Sequence, residues 1–331
     1  MLSVKHSIST SLAAGLTAAG LMATAAFGFG TIHGLGQDAE HERITRHALS
    51  CASGVPKAIC FQSESIDMLA GKTGTVGAVG LPDVTMITDP KAHCDMGDFL
   101  EVPGYPQSKA DANAHLTECR AWMKAKLDEA VRDAGALLDT KGKIDDSQIP
   151  TMISCAFGTG KGRAKCNVLE DFGILLHASE DFYSHTNWVD RQEPKSPVGP
   201  ENPPGLGNSG PAPWLDLRRP AGPVPAGLIS GCFTLLPESK FCNYGPSDAV
   251  HRAKHEYLNK DKGKIDPKFG AAGTTRGSVE GNFRRAVEAA IADTRDKWAT
   301  LSEALISTYG QERGAKMICA ISHDRPAKDC K

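Results

Sequence analysis

Three potential metal ligands recur at every fourth residue in one stretch of the sequence. The stretch LHASEDFYSHTN spans residues 176–187 and contains His177, Asp181 and His185. An α-helix has 3.6 residues per turn, so this spacing places the three side chains on one helical face. Imidazole and carboxylate are the ligands that zinc and similar divalent ions prefer where thiolates are absent. The stretch therefore predicts a metal site; a polar stripe satisfied by hydrogen bonds is the alternative interpretation.

Histidines elsewhere in the chain could complete such a site. His251 and His255 form a second pair four residues apart, in a segment that we expect to be helical. His93 follows Asp83 by ten residues, and His41 opens the first predicted helix. Because several separated segments offer the same ligand types, we expect them to meet around one or more shared cations.

Residues 176–187 resemble the LHxxxDFxxHxN core of the Het-C and CinY-like secreted proteins. That group is distantly similar to the bacterial zinc-dependent phospholipases C and the fungal zinc single-strand nucleases. Three further segments are similar to blocks of the group: QDAEHERIT at 37–45, AHCDMGD at 92–98 and HEYLNKD at 255–261. The resemblance implies a mainly helical, phospholipase C/nuclease-like fold that covers most of the chain.

The resemblance also implies a ligand set for one to three zinc ions. The implied ligands are imidazoles and carboxylates from all four segments, together with Asp83 and His251: His41, Asp83, His93, His177, Asp181, His185, His251 and His255. Within this set, Asp181 would bridge an ion bound by His177 to one shared with His41. His185 would belong with the 251–256 segment. The relatives also use an N-terminal tryptophan as a ligand, and no tryptophan lies near the predicted start of the mature chain.

Bound zinc would make hydrolysis of a phosphate ester the expected chemistry. Zinc lowers the pKa of bound water towards about 7, and paired ions can stabilise charge on a phosphodiester. Asp83 and Asp181 are the expected catalytic carboxylates, with Asp83 orienting or deprotonating the water. Glu180, Asn187 and Asp95 are expected to orient the imidazoles.

We therefore expect a secreted, zinc-dependent phosphoesterase that acts on a phospholipid or another phosphodiester and contacts a membrane surface peripherally. Two alternatives stay open. One is a non-catalytic secreted protein stabilised by metal and disulfides, and the other is a nuclease-like phosphodiesterase. A catalytic metal keeps an open coordination position, whereas a structural metal is enclosed by protein ligands.

The start of the chain predicts export. Residues 12–26 are almost entirely small or apolar, follow Lys5, and end near Ala-Thr-Ala, a pattern that signal peptidase accepts. We interpret residues 1–26 as a signal peptide and expect a secreted or periplasmic protein. Ten cysteines without any CxxC spacing support disulfides in an oxidising compartment. Pairing of neighbours along the chain gives the expected scheme: 51–60, 94–119, 155–166, 232–242 and 319–330.

The charge balance gives no sign of a nucleic-acid partner. The chain has 37 Lys and Arg against 39 Asp and Glu, a formal net charge of −2. A protein that binds nucleic acid stably through its backbone phosphates carries a basic excess. We therefore expect no stable nucleic-acid partner.

The mature chain, residues 27–331, is expected to form one mainly α domain, a helical bundle with long disulfide-stapled loops. Residues 194–227 hold ten of the twenty prolines and predict a surface excursion without regular structure; an interdomain linker is the alternative. A small hairpin is predicted over 228–236. Apolar residues at helical spacing predict helices over residues 40–49, 108–138, 165–190, 247–259 and 277–309.

Overall fold

The computed structural model describes residues 29–34, 36–53, 56, 59–72, 75–149, 155–160, 162–233, 238, 242, 251–266 and 268–330. The predicted signal peptide, residues 1–26, lies outside these residues. The described part is mainly helical with two small antiparallel strand pairs, which confirms the predicted class. None of its helices is long and apolar enough to cross a membrane.

Three long helices and several shorter ones form the described part of the bundle. The α-helices are α1 Glu40–Leu49, α2 Ser63–Ala70, α3 Pro82–Thr85, α4 Pro90–His93, α5 Lys109–Ala134, α6 Ala164–His185, α7 Thr275–Ser278, α8 Asn282–Tyr309, α9 Gln311–Ser322 and α10 Pro326–Asp329. The strand pairs are β1 His33–Gly34 with β2 Gln37–Asp38, and β3 Gly71–Lys72 with β4 Thr75–Val76. The predicted helix 40–49 coincides with α1, whereas α2 and α9 were not predicted.

Helix α6 runs through the centre of the bundle. Every residue from Asp171 to His185 is buried. Helices α5 and α8 pack against it, as does the 3-10 turn Ala78–Gly80. A helix buried on all sides is expected at the centre of a large domain, where its polar side chains need partners inside the protein.

Gly173 lets the chain approach α6 closely on one side. A Cβ atom at this position would lie 2.5 Å from the carbonyl carbon of Ala78. The carbonyl of Val79, in the same turn, accepts a hydrogen bond from His177 Nδ1 at 2.8 Å. Close packing at Gly173 therefore holds the turn that orients His177.

The cysteines form the five predicted pairs. The disulfides are Cys51–Cys60, Cys94–Cys119, Cys155–Cys166, Cys232–Cys242 and Cys319–Cys330. Each closes a short loop, as expected of a chain folded in an oxidising compartment. The Cys94–Cys119 bond joins the segment that carries His93 to α5.

Two predicted elements are absent. The predicted helix over 247–259 is wrong for its described part: residues 251–254 are not helical, and His255–Tyr257 forms one 3-10 turn. The reason is that Cys232 N–H donates to the carbonyl of Ala253 at 2.8 Å, and His255 N–H donates to that of Cys232 at 3.0 Å. The described part of the predicted hairpin, 228–233, makes only isolated bridges, to Thr186 and Lys254.

Two predicted helix boundaries are displaced. Helix α6 ends at His185 rather than at 190, because Thr186 is extended and Asn187 donates to the carbonyls of Pro204 and Gly227. Helix α8 starts at Asn282 rather than at 277, after a kink with positive φ at 280 and 281. The tie through Asn187 anchors the proline-rich segment to the end of α6.

The proline-rich excursion, residues 194–227, has little regular structure, as predicted, but it is anchored. Arg120 of α5 donates hydrogen bonds to three carbonyls of this segment, including that of Trp214 at 2.7 Å. Leu215 and Leu217 are buried in the core. These leucines are therefore not available to contact a lipid surface.

The approach at Gly173 gives a first prediction. Substitution Gly173→Ala should lower the free energy of unfolding by about 1–3 kcal/mol, because the added methyl group forces α6 and the Ala78–Gly80 turn apart. Thermal unfolding followed by circular dichroism measures the effect. Gly222→Ala, where a Cβ would meet nothing within 4 Å, is the matched control. Equal melting temperatures for the two variants would contradict the packing argument.

Candidate metal centre

Imidazoles and carboxylates from separated segments meet in one buried cluster. Their ligand atoms form three groups, and within each group all atoms lie within 4.8 Å of one another. The groups are Asp83, His93 and His177; His41, His177 and Asp181; and Asp95, His185 and His255. The cluster thus unites α1, the 83–95 region, the C-terminal half of α6 and the segment at 255.

Four ligand atoms converge at the first group, because Asp181 of the second group also directs one oxygen at it. Asp181 Oδ2 lies 2.9 Å from His93 Nδ1 and 3.0 Å from His177 Nε2. Asp83 Oδ1 lies 3.7 Å from His177 Nε2 and 4.0 Å from His93 Nδ1. Tetrahedral zinc with bonds of about 2.0–2.1 Å separates its ligands by roughly 3.3 Å. The spacing of the four atoms fits such an ion.

The second oxygen of Asp181 faces another set of groups. Asp181 Oδ1 lies 3.2 Å from His41 Nε2, and it accepts a hydrogen bond from the backbone N–H of Phe29 at 3.1 Å. His41 and His177 are stacked with ring centroids 4.2 Å apart. The two oxygens of one carboxylate can therefore serve two neighbouring cations.

The third group surrounds His185. Asp95 Oδ1 lies 3.0 Å from His185 Nδ1, and the rings of His185 and His255 are 4.3 Å apart. Asp261 contacts both imidazoles, with Oδ1 3.4 Å from His185 Nε2 and Oδ2 3.4 Å from His255 Nε2. Asp261 also accepts a hydrogen bond from Ser184 Oγ at 2.5 Å. This group can hold a further ion with four protein groups around it.

Hydrogen bonds outside the cluster orient the imidazoles. Four of them direct Nδ1 at an outer acceptor and leave Nε2 for the cluster: His41 to Glu180 at 2.7 Å, His177 to the Val79 carbonyl at 2.8 Å, His185 to the His93 carbonyl at 2.8 Å, and His255 to Glu238 at 3.3 Å. His93 is reversed, with Nε2 directed at the Met86 carbonyl at 3.2 Å. Such partners are typical of metal-binding histidines, since they select the tautomer and fix the ring.

Several inward-facing atoms have no hydrogen-bond partner among the described residues. They are His41 Nε2, Asp83 Oδ1, Asp95 Oδ1 and His185 Nε2, all buried. When each imidazole is neutral and donates its one proton to the outer acceptor, the ring nitrogens that point inward present lone pairs to the carboxylate oxygens, and a lone pair cannot satisfy another. A cation satisfies all of them together, so the donor set fits a divalent metal.

The charges are strongly coupled. Burial opposes ionisation of Asp181, yet the neighbouring imidazoles of His177, His185 and His41 hold the pKa of its carboxyl well below the ordinary value. Burial likewise opposes protonation of His41, but Asp181 and Glu180 raise its pKa to about 10. The cluster therefore attracts positive charge, as protons or as metal ions.

The backbone is strained next to the ligands. Non-glycine residues with positive φ flank Asp95, at Cys94 (56°) and Met96 (69°), and another, Ala39 (51°), lies two residues before His41. Such conformations cost of order 1–3 kcal/mol and concentrate at functional sites. At the third group the backbone of Gly231 packs closely against His255, since a Cβ on Gly231 would lie 2.3 Å from His255 Cα.

Most residues proposed from the sequence meet in the cluster. These are His41, Asp83, His93, His177, Asp181, His185 and His255. His251 does not join them: it is exposed and lines a separate cavity, because the helix expected to align it with His255 does not form.

Several residues that contact the cluster could not be recognised as ligands from the sequence. Asp95 and Asp261 lie inside the quoted segments but follow no helical spacing that would mark them as ligands. Phe29 contributes only its backbone N–H, and a backbone group leaves no residue-type pattern in the sequence. Glu238 lies in a segment that offered no motif. Cys319, His323 and Cys330 also lie close together, but both cysteines are consumed in a disulfide.

Metal binding should release protons. At pH 7, metal-free His41 lies below its pKa of about 10 and is protonated, and it must lose that proton to bind a cation. Zinc added to chelator-treated protein should therefore displace about one proton or more, and its affinity should rise with pH. Calorimetric titration at pH 7 in buffers of different ionisation enthalpy measures the release. Identical heats in all buffers would contradict the assigned role of His41.

Comparisons with known proteins leave the geometry as the basis for function. No protein-family model matches the chain, and no curated protein or solved structure matches it significantly. The resemblance of residues 176–187 to the Het-C and CinY-like group stays a prediction. What the site can do has to be inferred from its ligands.

Proposed function

We propose that the protein is a secreted, metal-dependent phosphoesterase, phospholipase C-like, that uses zinc ions to hydrolyse a phospholipid or another phosphodiester. The observation that carries this proposal is the position of Asp181, whose two oxygens face separate sets of imidazoles. A carboxylate shared in this way supports two adjacent cations. When bound, such ions activate water at neutral pH and stabilise the charge of an in-line displacement at phosphorus.

Asp83 is the ligand best placed to act on water. It retains 7% exposure, and His93 beside it retains 4%, whereas His41, His177 and Asp181 are fully enclosed. Asp83 Oδ2 accepts a hydrogen bond from Thr31 Oγ1 at 2.5 Å, while Oδ1 points into the cluster without a hydrogen-bond partner. Asp83 is therefore the most exposed of the clustered ligands, and in this proposal its carboxylate orients a water or takes its proton.

Three exposed apolar side chains lie near Thr31 and Asp83, either in the chain or at the Gly80 turn. Ile32 is 43% exposed, Val76 41% and Val84 58%. Ile32 and Val84 flank the Thr31–Asp83 hydrogen bond in sequence, and both Thr31 and Val76 lie next to Gly80. We name Ile32, Val76 and Val84 the apolar rim. Exposed aliphatic groups at the mouth of a site favour a lipid surface over a polyanionic nucleic acid as the source of the phosphodiester.

A second candidate function is a metal-stapled protein without catalysis. The observation that favours it is the complete burial of His41, His177 and Asp181. The cavity of 770 Å³ described below is lined by neither Asp181 nor His185. Ions enclosed by protein ligands stabilise a fold without meeting a substrate.

Turnover of a soluble chromogenic phosphodiester separates the two functions. The zinc-loaded protein should hydrolyse it, lose activity with a chelator and regain it with zinc. His177→Ala should reduce the rate by about a hundredfold or more, because this imidazole holds the ion that acts on the substrate. His115→Ala, a partly exposed histidine on α5, is the matched control. Zinc-bound wild type without turnover, but with a raised melting temperature, would establish the stapled alternative instead.

The apolar rim gives a prediction specific to lipid substrates. Val84→Glu should reduce hydrolysis of phospholipid vesicles about tenfold, since a charge at this position opposes contact with the acyl region. It should leave turnover of the soluble phosphodiester unchanged. Ile59→Glu, at a side chain that is 46% exposed next to Trp298 of α8, provides the control. Equal loss in both variants, or loss on the soluble substrate alone, would exclude the rim as a membrane contact.

A further inference from the structure

A cavity separate from the metal cluster lies beside the segment that supplies His255. Its volume is 770 Å³. Its walls come from residues 196–202 of the proline-rich excursion, from Glu256 and Tyr257 next to His255, and from Thr275 and Arg276 at the start of α7. We call it the Arg276 cavity. None of the candidate metal ligands that meet in the cluster lines it.

Arg276 is the distinctive group of this cavity. The residue is only 4% exposed, and its Nε–H donates to Asp190 Oδ2 at 2.8 Å. Its Nη2 is buried and has no hydrogen-bond partner among the described residues. A guanidinium carries five N–H donors, so most of its capacity is uncommitted.

Asp190 cannot satisfy the rest of the guanidinium. Lys260, which is fully buried, places Nζ 3.0 Å from Asp190 Oδ1 and 3.1 Å from Oδ2. One buried carboxylate therefore faces two cationic side chains. Buried donors of charged groups are normally paired, so a guanidinium that lines a cavity and is only partly paired by the protein is suited to an acceptor from a ligand.

Carboxylates line the same cavity. Glu193, Glu201 and Glu256 are at least partly exposed, and Glu256 is already paired with Lys254 at 3.3 Å. Together they oppose entry of a simple anion. They favour a ligand that also carries a positive charge, which the carboxylates not already paired with a lysine can accept.

We propose that the Arg276 cavity binds a small zwitterion, whose anionic oxygen group pairs with the Arg276 guanidinium and whose ammonium group faces the carboxylates of Glu193 and Glu201. The anionic group is a phosphate or a carboxylate, since both present paired oxygens to a guanidinium. Binding here needs neither turnover nor metal contact, so it stands apart from the proposed phosphoesterase activity.

Calorimetric titration of the intact, metal-loaded chain tests this site. The probes are phosphoethanolamine and β-alanine as zwitterions, with inorganic phosphate and ethanolamine as half-ligands. At least one zwitterion should bind about tenfold more tightly than either half-ligand. The tighter zwitterion identifies phosphate or carboxylate as the preferred anion. The proposal would be overturned if neither zwitterion bound, or if a half-ligand bound as tightly as the zwitterions.

Variants then locate the ligand. Arg276→Gln and Arg276→Lys should each weaken zwitterion binding about tenfold or more, and the lysine variant keeps a positive charge beside Asp190. The double variant Glu201→Gln/Glu256→Gln changes exposed side chains and should weaken zwitterion binding without weakening that of inorganic phosphate. Arg284→Gln, which removes an arginine whose side chain is 64% exposed on α8, is the control and should bind like wild type.

Two results would refute the site. In one, Arg276→Lys binds the zwitterion as wild type does while its melting temperature falls, which assigns Arg276 a purely structural role with Asp190. In the other, phosphoethanolamine soaked into crystals of the metal-loaded protein appears only among the imidazoles of the metal cluster and not at Arg276. Loss of phosphodiester turnover in His177→Ala with zwitterion binding intact would support two separate sites.

Discussion

The arrangement depends on a carboxylate buried among imidazoles at the centre of α6. Asp181 has no solvent exposure, and an unpaired buried charge costs several kcal/mol. Its neighbours compensate only in part, because His177 directs its N–H at the Val79 carbonyl and His93 directs one at the Met86 carbonyl. When these imidazoles are neutral, their inward-facing nitrogens present lone pairs to Asp181, and the site is balanced by added positive charge, as protons on groups such as His41 or as metal ions. This requirement ties the stability of the core to the ion that it binds.

The remaining fold follows from the need to deliver ligands to α6 from several directions. Helix α1 brings His41 to the cluster. Its Nδ1 lies 2.7 Å from Glu180 Oε2 on α6, and this hydrogen bond orients the ring. A strained turn presents Asp95 from another side. The bridge between Cys232 and Lys254 brings His255 to the third side. Disulfides and close backbone approaches keep these short segments in place, since loops of this kind have little regular structure of their own.

The sequence could predict the part of the site that obeys helical periodicity. His177, Asp181 and His185 lie on one helix, as their spacing indicated, and α6 is buried around them. The same reasoning failed for His251, because local backbone pairing with Cys232 replaces the helix that periodicity favoured. Asp261 belongs to the third group through contacts across the chain, and such contacts leave no regular spacing in a sequence. The resemblance supplied the separated segments; the tertiary fold supplies the positions of their carboxylates.

Burial and access make opposite demands on this centre, and their balance favours reactivity at one edge. Enclosure of His41 and Asp181 strengthens every electrostatic interaction, which suits a tightly held ion. A substrate must still reach a cation, and Asp83, at 7% exposure and next to the exposed Val84 in the chain, is the most exposed of the clustered ligands. The inward-pointing oxygen of Asp83 can hold an ion in a structural centre as well as in a catalytic one. In a catalytic centre the same oxygen can also accept a proton from water, so Asp83 is the ligand at which the two kinds of centre differ.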